Sequence, residues 1–206
     1  TLLKESANLF YDQKFMERLD ANTYLLGFED GVYDLRVHQF RDGRPDDFLS
    51  FSTGLYYYPE DGEEPYSEDH FRVKEVRTFL SQILPNEKVR DYVLTLFASF
   101  LCGSTADEKF HIWTGSGGNG KSKIVELYQN CLGDYATTLP ITLLTGKRTG
   151  ANNASPELSK TRGKRFASLQ EPEEDSQIQV GLMKELTGGD KISARGLYEA
   201  ASEFKP

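Results

Sequence analysis

The stretch Gly115-Ser116-Gly117-Gly118-Asn119-Gly120-Lys121-Ser122 constrains this chain more than any other feature. It matches the G-x-x-x-x-G-K-S phosphate-loop pattern at Gly115, Gly120, Lys121 and Ser122. Ahead of it, residues 110–113 read as a short buried-type strand; behind it, residues 121–132 read as a helix closed by Gly133. Glycines let successive backbone N–H groups turn inward around anionic oxygens. The following helix then aims its free N–H groups and positive dipole end at the same phosphates. In that arrangement Lys121 reaches the β- and γ-phosphates of a nucleoside triphosphate and the Ser122 hydroxyl helps hold Mg²⁺. The expected nucleotide contacts are Gly115, Ser116, Gly117, Gly118, Asn119, Gly120, Lys121, Ser122 and Lys123, with ATP and Mg²⁺ as cofactors. A chance glycine-rich turn would not carry the flanking strand and helix.

A phosphate-loop ATPase also needs a carboxylate at the end of a neighbouring strand, to hold Mg²⁺ or orient the attacking water. Residues 165–169 read as a strand running directly into Gln170-Glu171-Pro172-Glu173-Glu174-Asp175. Glu171 is the first carboxylate past it and the candidate catalytic or Mg²⁺-linked acid, with Glu173 in reserve. Glu174 and Asp175 fit a solvated acidic loop.

The rest of the chain gives three segments: an α+β segment over 1–60, a helical segment over 61–106, and the phosphate-loop unit over 107–206. Residues 1–20 read as a helix with Leu9, Phe10, Phe15, Met16 and Leu19 on one side. Runs at 23–28 and 32–35 flank Glu29-Asp30-Gly31, a hairpin signal, and further short β pieces are expected through the Tyr56-Tyr57-Tyr58 triplet. Those tyrosines read as packing residues of a β-rich segment rather than base-stacking platforms. An acidic, turn-rich linker spans 59–66. Ser67 reads as an N-cap ahead of a helix striped by Phe71, Val76, Phe79, Leu80 and Ile83. Pro85-Asn86 breaks and recaps the chain, and Val89, Tyr92, Val93, Leu96, Phe97, Phe100 and Leu101 follow at helical spacing. Ser155-Pro156-Glu157 opens a short helix, and another surrounds Met183 and Leu186 before Gly188-Gly189.

Composition sets limits on partners. Of the net charge of −8, the whole excess lies in residues 1–106, with 11 basic and 19 acidic residues, whereas residues 107–206 carry 13 of each. Charge is read locally near a phosphate backbone, within a screening length of about 10 Å. An acidic total therefore does not exclude DNA, and Lys147, Arg148, Lys160, Arg162, Lys164 and Arg165, offset by Glu157 alone, weakly permit it. Cys102 and Cys131 lack any metal-ligand spacing and read as reduced core thiols. No apolar run approaches the roughly 18 residues of a spanning helix, so no membrane partner is expected. A start at Thr1 and an end at Pro206 read as a piece of something longer.

The order of the phosphate loop, the strand ending in Leu-Gln-Glu-Pro-Glu-Glu and the segment Leu182-Met183-Lys184-Glu185-Leu186-Thr187-Gly188-Gly189-Asp190-Lys191-Ile192-Ser193-Ala194-Arg195 resembles the superfamily 3 helicases. Within them it is similar to the poxvirus-type primase-helicases of large nucleocytoplasmic DNA viruses and to related phage primases. Asn22-Thr23-Tyr24-Leu25-Leu26-Gly27-Phe28 and Gly31-Val32-Tyr33-Asp34-Leu35 look like the domain preceding the helicase there. The resemblance implies an α/β, AAA+-like P-loop core, truncated at its C-terminal side, that assembles into a hexameric ring on single-stranded and forked DNA. It implies a primase domain in the same chain, a place in the host cytoplasm or viral factory, and an ATP-dependent helicase activity with 3′–5′ polarity. Glu171 belongs to the second nucleotide motif, although Gln170 stands where many members place another acid. Lys191 and Arg195, in the stretch leading to the pore hairpin, become DNA-contact candidates; ion pairing with Glu185 or Asp190 competes. The sensor and arginine finger would fall past Pro206, so this piece is expected to bind nucleotide and hydrolyse it poorly. Two other readings stand beside this one: a small-molecule phosphotransferase, in which Leu-Thr-Gly-Gly-Asp has no place, and a non-enzymatic oligomerisation or loading module built on residues 1–106.

Overall fold

The computed structural model describes residues 6, 10, 12, 14–59, 64–146, 155–196 and 201–205. Within them α and β elements mix, and the strands fall into three small sheets. The hairpin signal at Asp30-Gly31 is obeyed. Strand β1 (Leu25–Phe28) turns into β2 (Gly31–Asp34) with Phe28 paired to Gly31, and β3 (Gln39–Arg41) adds antiparallel to β2. Past β3 the chain forms no further strand up to Tyr58. Tyr57 lies flat on Phe40 at a centroid distance of 4.3 Å, and Tyr58 meets Phe40 edge-on, so these two tyrosines pack as expected while Tyr56 is exposed.

Half of the residues in the helix read over 1–20 lie outside the described ones. Among its described residues, Ser6 is helical and Phe15–Arg18 forms a single turn (α1); Leu9 lies outside the described residues. Phe10, Phe15 and Met16 are exposed.

Helix α2 (Phe71–Ile83) starts three residues later than the Ser67 cap implied. His70 is the cap, its Nδ1 accepting from the Arg72 N–H at 3.3 Å, because Ser67 instead closes a turn by accepting the His70 N–H. Glu68 and Asp69 pair with Arg77 and Lys74. Helix α3 (Glu87–Phe100) begins where Asn86 places it, the Asn86 side chain accepting from the Lys88 and Val89 N–H groups. Leu80, Val93, Phe97 and, from helix α4 (Lys121–Leu132), Ile124 form one buried cluster, with Trp113 packed against it. Tyr128 stacks on Phe97 at 4.0 Å and donates its hydroxyl to the Phe97 carbonyl.

After α4 a tight turn at Gly133–Tyr135 leads to β4 (Ala136–Leu139), which pairs in parallel with β5 (Phe166–Leu169). Between them lie the short helices α5 (Thr142–Thr145) and α6 (Pro156–Ser159). Helix α7 (Val180–Thr187) and the antiparallel pair β6 (Ile192–Ala194) and β7 (Ser202–Phe204) complete the described elements. Cys131 is exposed on α4 and Cys102 half-buried, both as free thiols. The expectation of two core thiols fails for Cys131, since Ile124 and Leu132 take the inward face of that helix. No described helix is long and apolar enough to cross a membrane.

Candidate nucleotide-binding loop

Residues 110–113 do not form the strand read there, although they alternate as one would. His111 and Trp113 turn inward, Trp113 stacking against Phe97 and His111 meeting Phe100 edge-on, while Phe110 and Ile112 face out, Ile112 with 71% of its surface exposed. A strand is defined by the ladder it makes with a neighbour. Among the described residues the parallel pair of β4 and β5 has no third strand in its sheet.

The loop itself is well organised. Gly120 caps α4 at φ +82°, and a Cβ at this position would come within 2.9 Å of three carbons of the Ile83 side chain. Glycine here serves both the left-handed backbone and the close approach of the α2 terminus. Lys121 begins α4, and its Nζ donates to the Gly115 carbonyl at 3.3 Å, the Ser116 carbonyl at 3.5 Å and Asn119 Oδ1 at 3.0 Å. Gly115, Ser116, Gly117, Gly118 and Asn119 are exposed, as is Ser122 in the first turn of α4, where the Lys123 and Ile124 N–H groups turn back on the Gly120 carbonyl. Lys123 is turned away, its Nζ 2.7 Å from Glu126 on the same helix. The residues present therefore suit a polyphosphate: a cation, a helix N-terminus and an exposed hydroxyl converge on one glycine-rich turn.

Helix α4 is tied to the strand that leads to the candidate acid. Gln129, two turns beyond Lys121, donates to Thr138 Oγ1 on β4 at 2.8 Å and to Ser168 Oγ on β5 at 3.0 Å. Glu171 and Glu173 follow β5 in an exposed stretch, as does Gln170. Lys191 and Arg195 flank β6 and are exposed, while Ile192 and Ala194 between them are buried, so strand alternation puts both on the outward side. The Arg195 backbone is held by Ser155, whose N–H donates to its carbonyl at 2.8 Å. Ser155 is thus engaged with β6 and makes no side-chain cap on α6.

Much of the basic run turns inward and does not face solvent as a nucleic-acid stripe would. Arg165 is half-buried and donates to the carbonyls of Leu25 and Leu101, with its guanidinium over the Tyr135 ring; desolvation lowers its pKa from the ordinary arginine value. Lys164 donates to the Asp134 carbonyl and lies over Phe51, and burial likewise pulls its pKa down. Arg162 donates to the Met16 carbonyl and Lys160 pairs with Glu157 at 3.1 Å. Lys147 and Arg148 lie outside the described residues. The fully buried Tyr135 completes this contact, accepting from the Gly27 N–H at 2.9 Å and donating to the Phe51 carbonyl at 3.0 Å. Sequence reading missed this docking and the Gln129 link, both of which join residues far apart in the chain.

A family model described as "D5 N terminal like" matches residues 1–85. The chain is 44% identical over 205 residues, all of its length, to "Putative helicase L207/L206" of Acanthamoeba polyphaga mimivirus. It is 33% identical over 204 residues, 98% of its length, to "Putative helicase 121R" of Invertebrate iridescent virus 3. Over 211 aligned residues, 99% of the chain, it is 23% identical to "Putative primase C962R" of African swine fever virus. In each case the chain spans 21%, about a fifth, of the length of the relative it matches.

Proposed function

We propose that the chain forms the nucleotide-binding part of a replicative DNA helicase, a reading supported by its similarity along its length to viral proteins that carry the names putative helicase and putative primase. The observation that carries this reading is the Gly115–Ser122 turn, with the Lys121 ammonium gathered at the N-terminus of α4. Residues 107–206 then belong to a P-loop NTPase core of AAA+ type, 1–60 to the segment preceding it and 61–106 to a helical collar.

In this reading the loop from Gly115 to Lys123 receives ATP, with Lys121 as the phosphate-directed cation. Ser122 and Glu171 are the residues that would hold Mg²⁺, and Glu173 is the alternative acid. The metal, when bound, supplies charge neutralisation at the transferring phosphoryl group. The chain's own contribution is positional. Gln129 links the helix carrying Lys121 to the strand leading to Glu171, so the phosphate-binding and acidic ends share one framework. Lys191 and Arg195, on the outward side of β6, are the proposed contacts to single-stranded or forked DNA, and a hexameric ring places copies of them around one strand.

The test is ATP hydrolysis by the full-length protein with and without single-stranded DNA, beside Lys121→Ala. DNA-stimulated turnover that disappears in the lysine variant is the expected result. Turnover indifferent to DNA would overturn the helicase reading and favour phosphate transfer to a small acceptor.

A further inference from the structure

We propose that Asn119 is a positioning residue that competes with nucleotide for the Lys121 ammonium and thereby sets the affinity of the loop; the inference rests on the nucleotide reading above. An ammonium has three N–H donors. Those of Lys121 face three loop oxygens, the carbonyls of Gly115 and Ser116 and the side-chain Oδ1 of Asn119, which is the nearest at 3.0 Å. The same Oδ1 stands 3.5 Å from the Lys121 backbone N–H, so Asn119 engages the residue at both its ends. On its other side the Asn119 amide packs against Gly115. A Cβ there would lie 2.5 Å from Asn119 Nδ2 and 3.3 Å from Lys121 Nζ. Gly115, Asn119 and Lys121 therefore form one packed unit in which the glycine makes room for the other two.

A phosphate oxygen can recruit this ammonium only by displacing one of its present acceptors. The two carbonyls are fixed in the backbone of the turn, whereas Oδ1 leaves by rotation of one exposed side chain. Asn119 is thus the acceptor that yields, and its bond to Lys121 counts against binding. Loss of one such bond is worth about a three- to tenfold change in an equilibrium constant. The consequence has a definite sign: trimming Asn119 tightens nucleotide binding, where removal of a phosphate ligand or a loop scaffold weakens it.

The experiment is an equilibrium titration of the full-length protein with a fluorescently labelled ATP, followed by displacement with unlabelled ATP and ADP. It is run on wild type, Asn119→Ala, Asn119→Ser and Lys121→Ala. The expected result is a dissociation constant about three- to tenfold lower in both Asn119 variants, neither of which can reach Nζ. Equal or weaker binding in the Asn119 variants, with wild type binding and Lys121→Ala not, overturns this inference and leaves the nucleotide reading standing. If wild type fails to bind, or binding survives Lys121→Ala, the nucleotide reading itself falls and takes this inference with it.

Discussion

Asp34 ends β2 with its side chain only 11% exposed and both oxygens engaged by one residue. The Arg36 guanidinium donates to Oδ1 at 3.0 Å and to Oδ2 at 2.7 Å, and the Arg36 N–H adds a third bond. These bonds, the guanidinium first, outweigh partial burial and hold the carboxyl at a pKa of about 2. An unfolded aspartate titrates near 3.9. A folded value below the unfolded one means stability that is fully present above about pH 4 and is lost as pH falls through about 2. Thermal midpoints measured between pH 6 and pH 2 are expected to drop more steeply in wild type than in Asp34→Asn across the lower end of that range. Parallel curves would assign the acid sensitivity to other carboxylates. The effect will be modest, because Arg36 is half exposed and water screens it. Asp34 was legible only as part of a hairpin strand. Its pairing with a residue two positions on depends on the chain leaving the sheet at Leu35, which periodicity does not reveal.

Elements were readable to the extent that their signals are local. Helix α3 carries its apolar spacing and its Asn86 cap in its own sequence, and helix α4 is bracketed by Gly120 and Gly133, so both appear where expected. Residues 110–113 show the right alternation, yet strand character is a property of two segments, and the ladder partner is not in the pattern of the first. The cap of α2 fails for a local reason instead: Ser67-Glu68-Asp69 carries the right residue types, but the Ser67 carbonyl closes a turn on the His70 N–H and His70 takes the role. The link between α4 and β5 is likewise invisible in sequence, since Gln129 and Ser168 are 39 residues apart. It predicts a measurable coupling. Gln129→Leu is expected to lower stability by about 1–2 kcal/mol, two modest hydrogen bonds. In a double-mutant cycle with Ser168→Ala in urea, a coupling of about 0.5–1 kcal/mol should remain. Strict additivity of the two variants would mean that the side chains act separately and that α4 and β5 are held together by apolar contacts alone.

At the scale of the whole chain, part of the run that looked most like a nucleic-acid stripe joins the N-terminal sheet to the segment that follows the glycine-rich turn. Arg165 and Tyr135 do this with hydrogen bonds that reach Leu25, Gly27, Phe51 and Leu101. Behind them an apolar cluster of Leu26, Leu132 and Tyr135 takes in Phe28, Phe51, Tyr128 and Phe166. Tyr128 stacks on Phe97, and Phe97 on Trp113, so the cluster is continuous with the helical core beside the Gly115–Ser122 turn. Such continuity predicts one cooperative unit rather than two modules on a linker. Tyr135→Phe tests it, because the change keeps the ring and deprives the Gly27 N–H and the Phe51 carbonyl of their partner, a cost of about 1–3 kcal/mol. Trp113 is the only tryptophan in the 206 residues and sits at the far end of the aromatic chain. In urea, the midpoint read from Trp113 fluorescence should fall together with the midpoint from far-ultraviolet circular dichroism, and by the same amount. A drop in circular dichroism alone, with the Trp113 transition unmoved, would show that the N-terminal sheet unfolds by itself. The segment around Trp113 would then be energetically independent of it, and the aromatic chain would pack the two together without coupling their unfolding.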